Sequence, residues 1–174
     1  IRAKQVAEYL GTKHTEVVLT KDEFFQAIPE TIHAIESYDT TTVRASVGNY
    51  LLGKYISQHS EAKVIFNGDG SDELTGGYLY FLKSPNDLEF DRECRRLLNE
   101  LRYFDILRSD KSISSNGLEP RTPFLDRDFI DYYLSIPISI RNPVSTDKNK
   151  DISTKCEKYL LRQAFSINEP TLLP

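Results

Sequence analysis

The chain lacks the features that would place it in a membrane, outside the cell or on nucleic acid. No apolar run approaches the roughly 20 residues that cross a bilayer, and no charged-then-apolar leader precedes the first predicted helix. A basic excess is missing as well, because the formal net charge is -4 at pH 7 and phosphate-rich partners require clustered Lys and Arg. We therefore expect a cytoplasmic (cytosolic) protein with no membrane partner and no nucleic-acid partner.

Cysteine and methionine are also scarce. The two cysteines, Cys94 and Cys156, lie far apart without metal-site spacing, so we expect reduced thiols, both within helices. Methionine is absent even from position 1. The sequence opens inside a predicted helix and stops at Pro174 shortly after another, which leads us to expect an excerpt from a longer protein.

The hydrophobic pattern predicts an α/β domain that is mostly helical. Hydrophobic residues make up 39% of the chain, enough for one domain with a core. Predicted helices cover residues 2–10, 22–37, 42–57, 90–107, 129–134 and 153–165, and predicted strands cover 14–19 and 63–66. Pro29 predicts a kink or break in the second helix, which we expect Asp22 to cap. The order of strands and helices favours a short parallel sheet, whose missing neighbours we expect before Ile1.

Three further positions receive structural interpretations. Residues 141–153 are polar and contain Pro143, so we expect a mobile loop there. We expect Arg121 in a buried ion pair, and Asp126 as the cap of the helix that holds Phe129.

The most informative stretch is the run 67–73 (NGDGSDE), which directly follows the predicted strand 63–66. Its two glycines would let backbone N–H groups approach a phosphate closely. Its three carboxylates would repel that phosphate unless a cation lies between them, so pyrophosphate bridged by Mg²⁺ is a natural companion. The alternative is a simple turn in which Asp72 or Ser71 caps the next helix. Spacing alone does not decide between these two interpretations.

Four blocks in the chain resemble the asparagine synthetase family in order and spacing. They are 36–46 (ESYDTTTVRAS), 64–81 (VIFNGDGSDELTGGYLYF), 117–126 (GLEPRTPFLD) and 156–162 (CEKYLLR). Together they extend over nearly the whole chain, which makes the resemblance specific. It implies that residues 1–174 are part of one synthetase domain with a partial adenine-nucleotide α-hydrolase-like (PP-loop ATPase) fold.

The resemblance also implies an enzyme with two sites. An amino-terminal glutaminase domain would release ammonia from glutamine, and the synthetase domain would use Mg·ATP to adenylate aspartate before ammonia displaces AMP. The expected partners are therefore aspartate, ATP, ammonia and the glutaminase domain, while a homodimer stays open. We expect that domain and the pyrophosphate-binding loop to precede Ile1, since neither is recognisable in this sequence.

Individual residues receive roles from the same resemblance. The expected catalytic residues are Asp69, Thr41, Arg44, Glu73 and Lys158, the expected ATP-binding residues are Asn67, Gly68, Gly70 and Asp72, and Asp72 is also the expected Mg²⁺ ligand. Asp69 stands where the family usually has Glu, and Asn67 where it usually has Ser. Without the resemblance, we would place Thr41 and Arg44 on the exposed face of a surface helix that Asp39 caps.

Two other functions stay open at this point. One is a related ligase on the same scaffold, such as a β-lactam-forming synthetase. The other is a catalytically idle relative that survives as an interaction module, to which only Asp69 points.

Overall fold

The computed structural model describes residues 2–144 and 156–168, and this part of the chain is mostly helical with a two-stranded parallel sheet. The α-helices are α1 Arg2–Leu10, α2 Lys21–Gln26, α3 Ile28–Ile35, α4 Thr40–His59, α5 Ser71–Thr75, α6 Asp87–Glu100, α7 Asp105–Ser114, α8 Arg127–Ser135, α9 Ile138–Arg141 and α10 Tyr159–Asn168. The strands are β1 Val64–Phe66 and β2 Glu119–Arg121, and 3₁₀ turns cover Leu79–Lys83, Leu101–Tyr103 and Pro123–Leu125. Among the described residues, no helix is both long and apolar enough to cross a membrane.

The second predicted helix is broken at the expected place. α2 ends at Gln26 and α3 begins at Ile28, with Pro29 in its first turn, where a missing N–H does no harm. The expected cap, Asp22, is wrong. Thr20 begins α2 through a capping box, in which its Oγ1 accepts from the N–H of Glu23 at 3.2 Å and Glu23 Oε2 accepts from the N–H of Thr20 at 2.7 Å.

The sheet differs from the prediction. Residues 14–19 form no strand, because no neighbouring strand pairs with them in the described part of the chain, and Val18 is 83% exposed. The partner of β1 is β2, in parallel register with Val64 opposite Glu119 and Phe66 opposite Arg121. β2 has a polar sequence with a central proline, which carries no strand signal. The α/β class and the short parallel sheet are nevertheless confirmed.

The predicted helix 90–107 is two helices. α6 ends at Glu100, and the turn Leu101–Tyr103 separates it from α7. Cys94 lies within α6 as expected and is fully buried. Cys156 precedes α10, so its placement within a helix was wrong.

Packing joins these helices in two clusters. Ala27 and Ile35 pack against Val43 and Val47, which joins α3 to α4. Phe81, Phe90 and Cys94 form a second cluster with partly buried neighbours that include Tyr78 and Ile138. α7 lies against α4 and β2, so the carboxyl end of β1 opens beside α4 and α7.

A buried ion pair joins α6 to α9. Arg141 is 1% exposed, and its Nη2 donates to Asp91 Oδ1 at 2.5 Å, while Arg95 holds the other carboxylate oxygen at 2.7 Å. Burial alone would raise the pKa of Asp91, but the hydrogen bonds from Arg95 and Arg141 outweigh it and lower that pKa. The mobile loop expected at 141–153 was therefore wrong for Arg141 and for the equally buried Asn142, and residues 145–153 lie outside the described residues.

The remaining structural expectations have mixed outcomes. Asp126 caps α8 as expected, accepting from the N–H of Phe129 at 3.1 Å. The buried ion pair expected for Arg121 is wrong, because Arg121 pairs with Glu119 in solvent, with both side chains more than half exposed. The closing helix begins at Tyr159 in the described part of the chain, later than expected.

Candidate active site

The loop that follows β1 is fixed by Asn67. The N–H of Asn67 donates to the carbonyl of Arg121 at 2.9 Å, which continues the β1–β2 ladder by one residue. Its side-chain Nδ2 donates to Ser109 Oγ at 3.0 Å, and its Oδ1 accepts from the N–H of Asp69 at 3.2 Å. Asn67 thus connects the loop to β2 and to α7. The side-chain amide of Asn67 has a structural function at this position.

The two glycines of the loop differ in what they allow. Gly70 has a φ of 86° and packs against Leu125, whose Cγ would lie 2.6 Å from an added Cβ. Any larger residue there would be strained and would clash. Gly68 has no atom within 4 Å of the position its Cβ would occupy, so its backbone is open to close approach.

Neither Ser71 nor Asp72 caps the next helix, so the cap expected in the simple-turn alternative is wrong. Gly70 is the N-cap residue of α5, and no side chain caps that helix. Ser71 and Asp72 lie inside its first turn, so both side chains serve other contacts.

The side chains of Ser71 and Asp72 both contact Lys158, which is distant from them in the sequence. Lys158 Nζ lies 3.0 Å from Asp72 Oδ1 and donates to Ser71 Oγ at 3.1 Å, across 87 positions of sequence in the second case. Lys158 has a φ of 57°, which is unusual for a residue with a side chain. Of the predicted site residues, the structure brings Asp72 and Lys158 into direct contact.

Glu73 is 4% exposed and faces Tyr78. The hydroxyl of Tyr78 donates to Glu73 Oε1. Burial raises the pKa of Tyr78, and the hydrogen bond to Glu73 raises it further, so the phenol keeps its proton at neutral pH. Sequence reasoning gave Tyr78 no role, although the residue lies inside the matched block.

Asp69 has a carboxylate oxygen without a partner. Its Oδ2 is buried and makes no hydrogen bond in the described part of the chain. Asp69 lines a cavity of about 320 Å³ between α4, β1 and α7, together with Asn49, Gly53, Ser109 and other residues of these elements. A buried oxygen of this kind requires a partner from water, a cation or a ligand.

Thr41 and Arg44 lie elsewhere. Both are exposed in the first turns of α4, and Arg44 lines a separate apolar groove of about 560 Å³ with Phe24 and Phe25. The wall of the Asp69 cavity begins at Asn49, which lies about 7.5 Å beyond Arg44 along the same helix at 1.5 Å per residue. Among the described residues, no hydrogen bond or ion pair joins Thr41 or Arg44 to the loop.

The arrangement fits a Mg²⁺ ion that takes few ligands from protein. No cluster of three or more His, Cys, Asp or Glu side chains among the described residues could hold a metal alone. By donor chemistry, the unpartnered oxygen of Asp69 and the carboxylate of Asp72, which pairs with Lys158, are each of the kind that Mg²⁺ takes alongside phosphate oxygens and water. Asp72 is not among the residues that line the Asp69 cavity.

Comparison with known proteins agrees with the motifs. The asparagine synthase family model matches residues 1–89 and 82–170. Over all 174 residues the chain is 48% identical to the glutamine-hydrolyzing asparagine synthetases of Gallus gallus and Mesocricetus auratus, and 47% identical to that of Homo sapiens. It spans 29% of the length of each of these relatives. With two overlapping family matches that together extend over nearly all its residues, the chain belongs to the asparagine synthase family.

Proposed function

We propose that this chain is part of the synthetase domain of a longer cytosolic protein that makes asparagine from aspartate, with ATP as the energy source and glutamine-derived ammonia as the nitrogen source. The observation that carries the proposal is the contact of Lys158 with Asp72 and Ser71. It joins two of the four family blocks at one point, and the N–H of Ser71 donates to the carbonyl of Gly68 at 3.3 Å.

The proposed reaction has two steps. A β-carboxylate oxygen of aspartate attacks the α-phosphorus of ATP, the bond from that phosphorus to the bridging oxygen breaks, and pyrophosphate leaves. Ammonia then attacks the acyl carbon of the β-aspartyl-AMP, the carbon–oxygen bond breaks, and AMP leaves as the nitrogen loses a proton. The glutaminase domain of the longer protein would supply the ammonia.

Lys158 and several residues of the run 67–73 have distinct parts in this proposal. Lys158 meets the negative charge that grows on the phosphates as pyrophosphate leaves, where a fixed cation is worth most. Asp72 holds Lys158 in place and would share in holding a Mg²⁺ ion that screens the phosphate charge. The backbone of Asn67, Gly68 and Gly70 would lie against the nucleotide. Glu73 keeps one oxygen for Tyr78 and offers the other to the amino group of aspartate.

Thr41 and Arg44 enter the proposal as residues of the aspartate side. They lie on α4, which also forms the wall of the Asp69 cavity. Their exposure leaves both side chains free to meet a substrate that extends along this helix.

The test is aspartate-dependent release of pyrophosphate by the full-length protein with Mg·ATP and ammonia. We expect Lys158→Ala to lower kcat by roughly a hundredfold, as loss of one transition-state contact does, while the KM for ATP changes little. Lys54→Ala is the matched control, because Lys54 also forms an ion pair, with Glu30 at 2.8 Å, but lies on α4 away from the loop. An active protein whose rate survives Lys158→Ala would remove Lys158 from the mechanism, and a wild-type protein that releases no pyrophosphate with aspartate would refute the function itself.

An idle relative is the second candidate, favoured by one observation. Asp69 replaces the usual Glu, and its buried oxygen is without a partner. The same pyrophosphate assay on the wild-type protein separates the two candidates.

A further inference from the structure

Gly77 lies against the side chains of Asp72 and Lys158, the two charged residues that meet at the site. It follows α5, and its N–H donates to the carbonyl of Asp72 at 2.8 Å. A Cβ added to Gly77 would lie 2.6 Å from Cε of Lys158 and closer still to Oδ1 of Asp72. The last carbon of the Lys158 side chain therefore packs against a residue that has no side chain.

Backbone conformation does not require a glycine at this position. Gly70 and Gly76 have φ values of 86° and 66°, which favour glycine whatever surrounds them. Gly77 is not among the residues with positive φ. What Gly77 supplies is space for the Asp72–Lys158 ion pair.

Lys158 depends on that space because its own backbone is constrained. Its φ of 57° is costly for a lysine and is maintained only where the surroundings fix it. The carbonyl of Lys158 accepts from the N–H of Arg162 at 3.0 Å, which fixes the residue at the start of α10. With the backbone held at one end and the ammonium at the other, the stem of Lys158 has little freedom to move aside.

We propose that Gly77 is a positioning residue that sets the separation of the Lys158 ammonium from Asp72 and Ser71, and through it the rate of adenylation. This inference rests on the proposed function for its catalytic part. Its structural part, the placement of Lys158, stands on the contacts alone.

The variant Gly77→Ala tests the inference without threatening the fold. The three atoms nearest to an alanine methyl would be Oδ1 and Cγ of Asp72 and Cε of Lys158, all of which belong to side chains that can rotate away. We therefore expect a folded protein in which the ion pair has separated. Gly48→Ala is the matched control, because its methyl would meet only the ring of Phe24, at an ordinary 3.9 Å.

The first measurement needs no enzyme activity. Lys158 is 27% exposed and contacted by Asp72 and Ser71, so an amine-acylating reagent reaches it slowly. Quantified by mass spectrometry on the full-length protein, acylation of Lys158 should be several-fold faster in Gly77→Ala than in wild type, and unchanged in Gly48→Ala. Equal rates in wild type and Gly77→Ala would overturn the inference.

The second measurement is a double-mutant cycle on pyrophosphate release. Gly77→Ala should lower kcat by roughly tenfold to a hundredfold with little change in the KM for ATP, since displacement of a catalytic group by about 1 Å has effects of that size. In a Lys158→Ala background, the same change should lower the rate little further, because the two residues act together. Additive losses would overturn the positioning role.

The two measurements separate the two proposals. A protein with no aspartate-dependent activity, in which Gly77→Ala still exposes Lys158, refutes the proposed function and keeps the placement. An active protein in which Gly77→Ala changes neither acylation nor kcat refutes the role of Gly77 alone.

Discussion

At the scale of single residues, Asp69 stands out because one of its carboxylate oxygens is buried without a hydrogen-bond partner. The N–H of Asp69 donates to Oδ1 of Asn67, but its Oδ2 has no partner and lies beside the cavity of about 320 Å³. The family usually places Glu here, which would carry the carboxylate one methylene further. Either the cavity holds a partner for the shorter side chain, or the residue has lost its function.

We expect the first case, and Asp69→Glu tests it. If the cavity has adapted to Asp, the longer side chain should leave the rate of pyrophosphate release unchanged or lower it by up to about tenfold through misplacement. Asp69→Asn is the control, which keeps the shape, removes the charge and should lower the rate. A nearly inactive wild-type protein that Asp69→Glu rescues would contradict the adapted site.

The residues that sequence analysis found and those that it missed differ in what identifies them. Asp69, Asp72 and Lys158 were predicted because each lies inside a motif, and the structure places Asp72 against Lys158. Tyr78 and Gly77 were inside the same motif, but their functions depend on which side chain folds against them. That information is absent from spacing, because the relevant neighbour of Gly77 is 81 positions away at Lys158.

At the scale of elements, the contact of α9 with α6 depends on charge as much as on apolar packing. Asp91 is held by Arg141 and Arg95, and Arg141 is 1% exposed. A buried carboxylate that loses one of its partners keeps the cost of desolvation without the compensating attraction.

Arg141→Met should therefore destabilise the protein by about 3 kcal/mol at pH 7, near the low end for a broken buried pair because Arg95 remains. The pKa of Asp91 is lowered in the fold, so its contribution is present above its unfolded pKa of about 3.9 and is lost as pH falls through the lower folded value. The difference between wild type and variant should thus shrink below about pH 4. Urea unfolding at both pH values measures this.

Arg92→Met provides the comparison on the same helix. Arg92 pairs with Glu89 at 2.5 Å, but their side chains are 64% and 45% exposed. Its loss should cost less than about 1 kcal/mol at either pH. A cost for Arg141→Met as small as that of Arg92→Met would show that the α6–α9 contact does not depend on the ion pair.

Helices were predicted better than strands, for a physical reason. A helix such as α4 satisfies its hydrogen bonds within itself, so periodicity and a cap at Asp39 place it within a few residues. A strand exists only if a neighbour pairs with it. Residues 14–19 have a suitable pattern and no neighbour in the described chain, whereas β2 has an unsuitable pattern and β1 beside it.

At the scale of the whole molecule, the apolar side chains at both ends of β1 are exposed to solvent. Parallel sheets are normally buried on both faces, yet Val64 is 47% and Phe66 is 78% exposed. A pair of short strands is marginal without further packing. The chain also spans only 29% of the length of its relatives.

We predict from this that the 174-residue chain alone does not make asparagine. The assay is aspartate-dependent release of AMP with ammonia in excess, run beside the full-length protein. The physical reason is that an exposed β1 cannot hold the loop 67–70 as firmly as a covered sheet would. Sustained turnover by the chain alone would show that the site is complete within these residues.

Burial of Cys94 separates the two thiols of this chain by reactivity. Burial raises the pKa of Cys94 to about 12, so at neutral pH almost none of it is the thiolate that alkylating reagents attack. Cys156 is only partly buried and lies two positions before Lys158. A maleimide dye or a nitroxide attached to this chain would therefore report on the segment that carries Lys158, and the interior of α6 would stay unlabelled.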